Sequence, residues 1–341
     1  MKRPLVLAAG ISLLTLAACD SAPPEPSSSG GPSAAESSAA GGSLPEPSVQ
    51  PVGCEPTDGP LRVGLVTINL QALFFNQINE AAQAMADEQG VELQIISGND
   101  DSVTQANAID TLVADGVDAI IVAAVDTEGI KPAIRDADAA GIPVVAVDAI
   151  VDDPAVDAQV GTANAEGGAQ LGEALLEQSG GTGEVGVVGA LNSTIQLERQ
   201  KGFEDAVTAG GMTVGTVVDG KNVQETAQGA AENLLTGNPD LEYAYATGEP
   251  ALIGLAAAVR SQNAQDRINV VGWDLSDPAV EGLRDGWITG VVQQDTFEFG
   301  YKSMAAAIDL ACGNPVERDN PVDIHIVTPD NVDDFTFYLE G

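Results

Sequence analysis

The sequence predicts an α/β fold of two similar, doubly wound parallel-sheet lobes, and three observations predict it. From Leu61 onward, short Val/Ile-rich runs alternate with helical stretches, as when crossover helices bury strands on both faces. The helical stretches repeatedly stop at Gly, the residue that best takes the left-handed turn past a helix end. The alternation then restarts past residue 160, and its runs are too many for one comfortable sheet.

In the first lobe "LRVGLVTI" reads as a buried strand. "NQINEAAQAMADEQG" follows as a helix with Ile78, Ala81, Ala82 and Met85 on one face, stopped by Gly90. "VELQIISG", "DAIIVAAV" and "PVVAVDA" are further strands, with "VTQANAIDTLVADG" and "IKPAIRDADAAG" as the helices between them. The second lobe opens on the helix "AEGGAQLGEALLEQSGG", the strand "GEVGVVGA", the helix "ERQKGFEDAVTAGG" and the strand "MTVGTVVDG". "QETAQGAAENLLTG", "LEYAYAT", "ALIGLAAAVRSQ", "INVVGWD", "PAVEGLRDG" and "ITGVVQQ" continue it, before a helix from about Phe299 to Cys312. "VDIHIVT" alternates as a strand does, which makes His325 structural.

Composition bounds the function. The 341 residues suffice for two domains, and 44% hydrophobic against 19% charged residues builds a real core. Lys and Arg number 13 against 51 Asp and Glu, a net charge of −38. Such a surface repels phosphate backbones and excludes nucleic acid as a partner. The global acidity reads as solubility and is not by itself a sign of a cationic ligand.

The N-terminus reads as an address. Lys2 and Arg3 precede an apolar stretch, Leu5 to Leu16, too short to span a bilayer comfortably. Leu16-Ala17-Ala18-Cys19 resembles the lipobox of bacterial lipoproteins. That resemblance implies a signal peptide of residues 1–18, lipid on Cys19, and a protein anchored to the cell membrane outside the cytoplasm. Residues 19–59, poor in large apolar side chains, are expected to form a flexible tether. Cys54 and Cys312 are expected to pair as a disulfide in an oxidising compartment; two free thiols are the alternative. With a single His in the chain, no metal and no cofactor are expected.

Ligands of open parallel sheets sit beyond the carboxyl ends of the strands. This rule singles out Asn69, Gln71, Asp126, Asp148, Thr162, Asn164, Asn192, Asn222, Glu249, Asp274, Gln293 and Gln294. Phe74 and Phe75 stand out for another reason, in a chain only 4% aromatic. Adjacent helical residues point about 100° apart, so two rings in a row exceed what one core stripe needs.

The paired rings, "PVVAVD" at Asp148, "ERQKGF" around Arg199, "VVGWD" at Asp274 and "VVQQ" at Gln294 fall in one order. In that order they resemble the class I periplasmic sugar-binding proteins of the ribose- and galactose-binding type, from Leu61 to about Phe335. The resemblance implies two lobes joined by three hinge crossings, near Thr162–Ala163, Gln294–Asp295 and Asp323–Ile324. Residues 60–162 plus 295–323 would form one lobe, and 163–294 plus 324–341 the other. It makes Phe74 and Phe75 aromatic contacts, one ring also holding the lobe. Asp148, Arg199, Asp274 and Gln294 become partners of ligand hydroxyls. Forked carboxylate acceptors and a planar set of guanidinium donors suit that task. Trp273 is expected to pack. Three departures stand out: Ala149 where the ribose-type pattern has Arg, Gly248-Glu249 where it often has Asn-Asp, and Ala72-Leu73 in place of the Asn-Pro before the paired rings.

Enzyme signatures are missing. "TINLQALFF" contains no dinucleotide-binding glycines, and no G-x-S-x-G or G-x-x-x-x-G-K-[ST] occurs. Related DNA-binding repressors carry a basic helix-turn-helix head where this chain has a leader and an acidic tether. The expected function is a monomeric, lipid-anchored solute-binding protein of an ABC importer. It would capture a monosaccharide or polyol by hinge closure and hand it to a membrane permease. A sugar-sensing protein read by a membrane receptor would use the same cleft.

Overall fold

The computed structural model describes residues 44–55 and 59–339; the expected signal peptide and Cys19 lie outside these residues. The chain begins β1 (Arg62–Thr67), α1 (Leu73–Gln89), β2 (Glu92–Ser97), α2 (Ser102–Asp115), β3 (Ala119–Val122), α3 (Lys131–Ala139), β4 (Val144–Val147) and β5 (Ala158–Thr162). It continues α4 (Asn164–Ser179), β6 (Glu184–Gly189), α5 (Thr194–Ala209), β7 (Thr213–Asp219), α6 (Gln224–Gly237), β8 (Tyr243–Ala246) and α7 (Glu249–Ser261). Then come β9 (Asn269–Trp273), α8 (Asp277–Arg284), β10 (Ile288–Gln294), α9 (Thr296–Ala311), β11 (Asp319–Val322) and β12 (Ile324–Val327). Two 3-10 turns, Val332–Asp334 and Thr336–Leu339, close the described chain.

These elements form two six-stranded sheets of matching order, β2-β1-β3-β4-β5-β11 and β7-β6-β8-β9-β10-β12. All pairs are parallel except β10 with β12. Alternate residues of a strand face opposite sides, so each lobe has two cores. In the first lobe Ile121 packs under α1 and α9, while Ile120 and Val122 pack under α2 and α3. In the second, Val271 and Val292 join the α4–α5 side, and Val270 and Val291 the α6–α8 side.

The chain passes between the sheets at three places: after Thr162, after Gln294 and after Val322. Gly202 fixes one packing that bears on the site. A Cβ there would lie 1.8 Å from the Ala165 carbonyl, so α4 and α5 touch backbone to backbone beside Arg199. Gly300 does the same between α9 and α1, where a Cβ would lie 2.3 Å from the Ile78 carbonyl.

The structure departs from the sequence expectations in several places, α1 and α5 beginning three and four residues early at Leu73 and Thr194. The strands β5 and β11 carry no Val/Ile run: "AQVGT" is broken by Gln and Gly, and edge strand β11 holds Pro321. Helix α9 starts three residues earlier than expected, capped by Asp295, whose carboxylate accepts from the Glu298 amide at 3.2 Å.

Residues 44–54, assigned to the tether, instead lie along α9. Ser48 donates from its amide and hydroxyl to the Glu298 carboxylate at 2.7 and 2.6 Å, and Tyr301 donates to the Pro45 carbonyl at 2.8 Å. Cys54 is disulfide-bonded to Cys312 at the end of the same helix. These bonds recover the ordering entropy that composition alone could not.

The chain end, assigned whole to the second lobe, returns to the first. Val332 lies in a second-lobe core, but Tyr338 is 4% exposed in a first-lobe core against Phe297. Gln77 donates to the Tyr338 carbonyl at 2.8 Å.

Candidate functional site

Asp148 directly follows β4, and Asp274 directly follows β9, so the two lobes present a carboxylate at the same point of their sheets. Both residues hold left-handed backbone, with φ of 68° and 63°, which Asp tolerates through its short polar side chain. Both border a cavity of about 300 Å³ beyond the strand ends, at the lower end of the usual size for small-molecule sites.

The first lobe supplies Phe74, Phe75 and Asp148 to this cavity; the second supplies Arg199, Asn222, Glu249, Asp274 and Gln294. The two rings meet edge to face, 5.2 Å apart, and Phe74 leans on the fully buried Phe299 at 5.7 Å. Phe74 is thus held by the core while both rings border the cavity, a flat apolar wall suited to a ring's C–H face.

Arg199 is 6% exposed. Its Nε donates to Asn164 Oδ1 at 2.8 Å, its Nη1 lies 3.5 Å from Asp274 Oδ2, and its guanidinium lies 3.9 Å from the Trp273 ring centroid. Trp273 in turn donates to the Tyr245 hydroxyl at 2.9 Å, and Tyr245 stacks on Phe203. A buried aromatic column therefore holds the cation in place. Gln294 links two crossings: it donates to Asp274 Oδ1 at 2.7 Å and accepts from the Thr162 hydroxyl at 2.7 Å.

The cavity raises two of its acids, the half-buried Asp148 and the exposed Glu249. Desolvation pushes Asp148 up to about 6, with Arg199 opposing and Asp274 adding. Desolvation, then the charge of Asp274, pushes Glu249 up to about 7.

Six residues that the strand-end rule singles out do not border the cavity: Asn69, Gln71, Asp126, Thr162, Asn164 and Asn192. Asn69 organises the turn before α1, accepting from the amides of Gln71 and Ala72 at 3.0 and 2.8 Å and donating to Asp100 at 2.8 Å. Gln71 is exposed, and Thr162 acts on Gln294 as described. Asn222 borders the cavity while accepting from Gln196 at 2.6 Å.

Sequence reasoning missed Gln77, Ser193, Gln196, Thr296 and Tyr338, which also line the space. Gln196 is clamped between Asn222 and Thr247, and Gln77 between Thr296 and Tyr338. Neither glutamine follows a strand directly, so the strand-end rule passes over them.

The matches to known proteins agree with this geometry. A family profile described as periplasmic binding protein domain matches residues 63–315. The D-ribose/D-allose-binding protein of Pseudomonas aeruginosa is 26% identical over 269 residues, 76% of this chain and 84% of that protein. The xylitol-binding protein of Mycolicibacterium smegmatis is 26% identical over 276 residues, 80% of this chain and 78% of its own. The structure of a sugar ABC transporter sugar-binding protein from Bacillus halodurans superposes with a TM-score of 0.76 at 24% identity, over 80% of this chain and 99% of that one. The chain belongs to the class I periplasmic sugar-binding protein family.

Proposed function

We propose that this protein is the solute-binding component of an ABC importer, anchored by lipid at Cys19, that captures a monosaccharide or polyol between its lobes. Its relatives are sugar ABC transporter solute-binding proteins, and the family is non-enzymatic. One observation carries the reading: a single cavity takes its apolar wall from one lobe and its guanidinium from the other. A ligand touching both walls stabilises the closed arrangement over the open one by the contacts that only closure completes. Residues 60–162 and 295–323 move as one body, and residues 163–294 with 324–335 as the other, about the three crossings. The closed form then docks on a membrane permease, which takes the cargo.

The test is a melting-temperature screen of pentoses, hexoses, alditols and inositols, with calorimetry on any hit. The expected result is one-to-one binding that Asp274→Ala weakens by on the order of 2 kcal/mol. A screen in which no hydroxyl-rich compound raises the melting temperature overturns the reading.

A further inference from the structure

The charges around the cavity do not balance. Asp148, Glu249 and Asp274 line it, and Arg199 is the one cation among the described lining residues. Three carboxylates less one guanidinium leaves two net negative charges when all are ionised. Ala149, directly after Asp148, adds no cation.

The cation is also engaged. Arg199 gives Nε to Asn164, turns Nη1 toward Asp274, and lies on Trp273. Asp274 accepts from Gln294 on Oδ1 and faces Arg199 with Oδ2. Asp148 and Glu249 have no hydrogen-bond donor among the described residues, and no such bond contributes to their titration. Arg199 itself is more than nine-tenths buried, yet its Nη2 has no acceptor among the described residues. So the cavity holds one oxygen-seeking donor and a larger surplus of charged acceptors.

A neutral polyol would satisfy the donor and some acceptors but leave the mutual repulsion of the three carboxylates uncompensated. An ammonium compensates charge and offers three donors at once. The rings of Phe74 and Phe75 favour a nearby cation as well as a C–H face. We propose that the cleft selects a hydroxyl-rich ligand bearing an ammonium group, an amino sugar or amino polyol, its nitrogen on the Asp148, Asp274 and Glu249 side and its hydroxyls toward Arg199. This rests on the sugar-binding reading and narrows it. The raised titration of Asp148 and Glu249 accords with it, since the charge of Asp274 adds to the rise at both acids.

The test compares matched series by calorimetry at pH 7.5 and low salt. Each series is a neutral parent, its free amine and its N-acetyl derivative: glucose, galactose and mannose with their 2-amino forms, and myo-inositol with an aminodeoxyinositol. In at least one series the amine binds at least tenfold more tightly than both neutral members. Glu249→Gln then lowers that ratio at least fivefold. Neutral members binding as tightly as the amines, or any neutral sugar or polyol binding while every amine fails, overturns the inference and leaves the sugar-binding reading intact. If every amine and every neutral sugar and polyol fails, both fall together.

Discussion

The guanidinium of Arg199 lies 3.9 Å from the centroid of the Trp273 ring, and one residue along the chain from that ring is the carboxylate it faces, Asp274. On the proposed function a reporter and a ligand contact would thus be adjacent. Ligand oxygens reaching Arg199 would alter the field on the Trp273 indole directly, whereas Trp287 packs apart, beside Arg260.

Arg199→Lys is therefore not a conservative change. A lysine keeps the charge but loses the planar stack and the Nε bond to Asn164. Ligand affinity is expected to drop by about 2 kcal/mol, and the ligand-induced change in tryptophan emission to shrink with it. Fluorescence titration checks both; an unaltered titration curve in the lysine variant would contradict the assigned geometry.

Asp148 makes stability depend on pH in the ligand-free protein. Its folded value, about 6, lies above the ordinary 3.8, because burial disfavours the ionised form. A raised carboxyl stabilises fully below the unfolded value, and that stabilisation is lost as pH rises through the folded value. From pH 4 to pH 7 this group should remove up to about 2–3 kcal/mol. Asn keeps the left-handed backbone at this position and has nothing to ionise. Asp148→Asn should therefore gain on the wild type as pH rises from 4 to 6 and hold that gain above 7. Urea denaturation across this range measures the difference, and a pH-independent difference refutes a desolvated carboxyl.

How much of this was legible follows from where each residue sits. Asp148, Asp274 and Gln294 end strands rich in Val, so the rule that ligands lie beyond strand ends finds them at once. The same rule misplaced Asn69, because a turn can claim an amide before any ligand does. Gln77, Gln196 and Tyr338 were invisible for the opposite reason: they lie inside helices or a terminal turn, and only tertiary packing brings them to the cavity. The strand β5 escaped notice because its burial comes from neighbours on both sides, so it needs no apolar run of its own.

Thr162 offers the sharpest separation of contact from support. It ends β5 at the first crossing, is 8% exposed, and gives its hydroxyl to Gln294 at the second. Val has nearly the same shape and suits a strand end, but leaves Gln294 Oε1 buried without its donor. That costs about 1–3 kcal/mol of stability. It also frees the amide that holds Asp274, so affinity should fall severalfold although Thr162 does not border the cavity. Thr162→Ser restores the hydroxyl and should recover most of both. Thermal melts and calorimetry on the pair decide it: equal affinity in the Val and Ser variants would mean that the Thr162–Gln294 bond does not set the binding geometry.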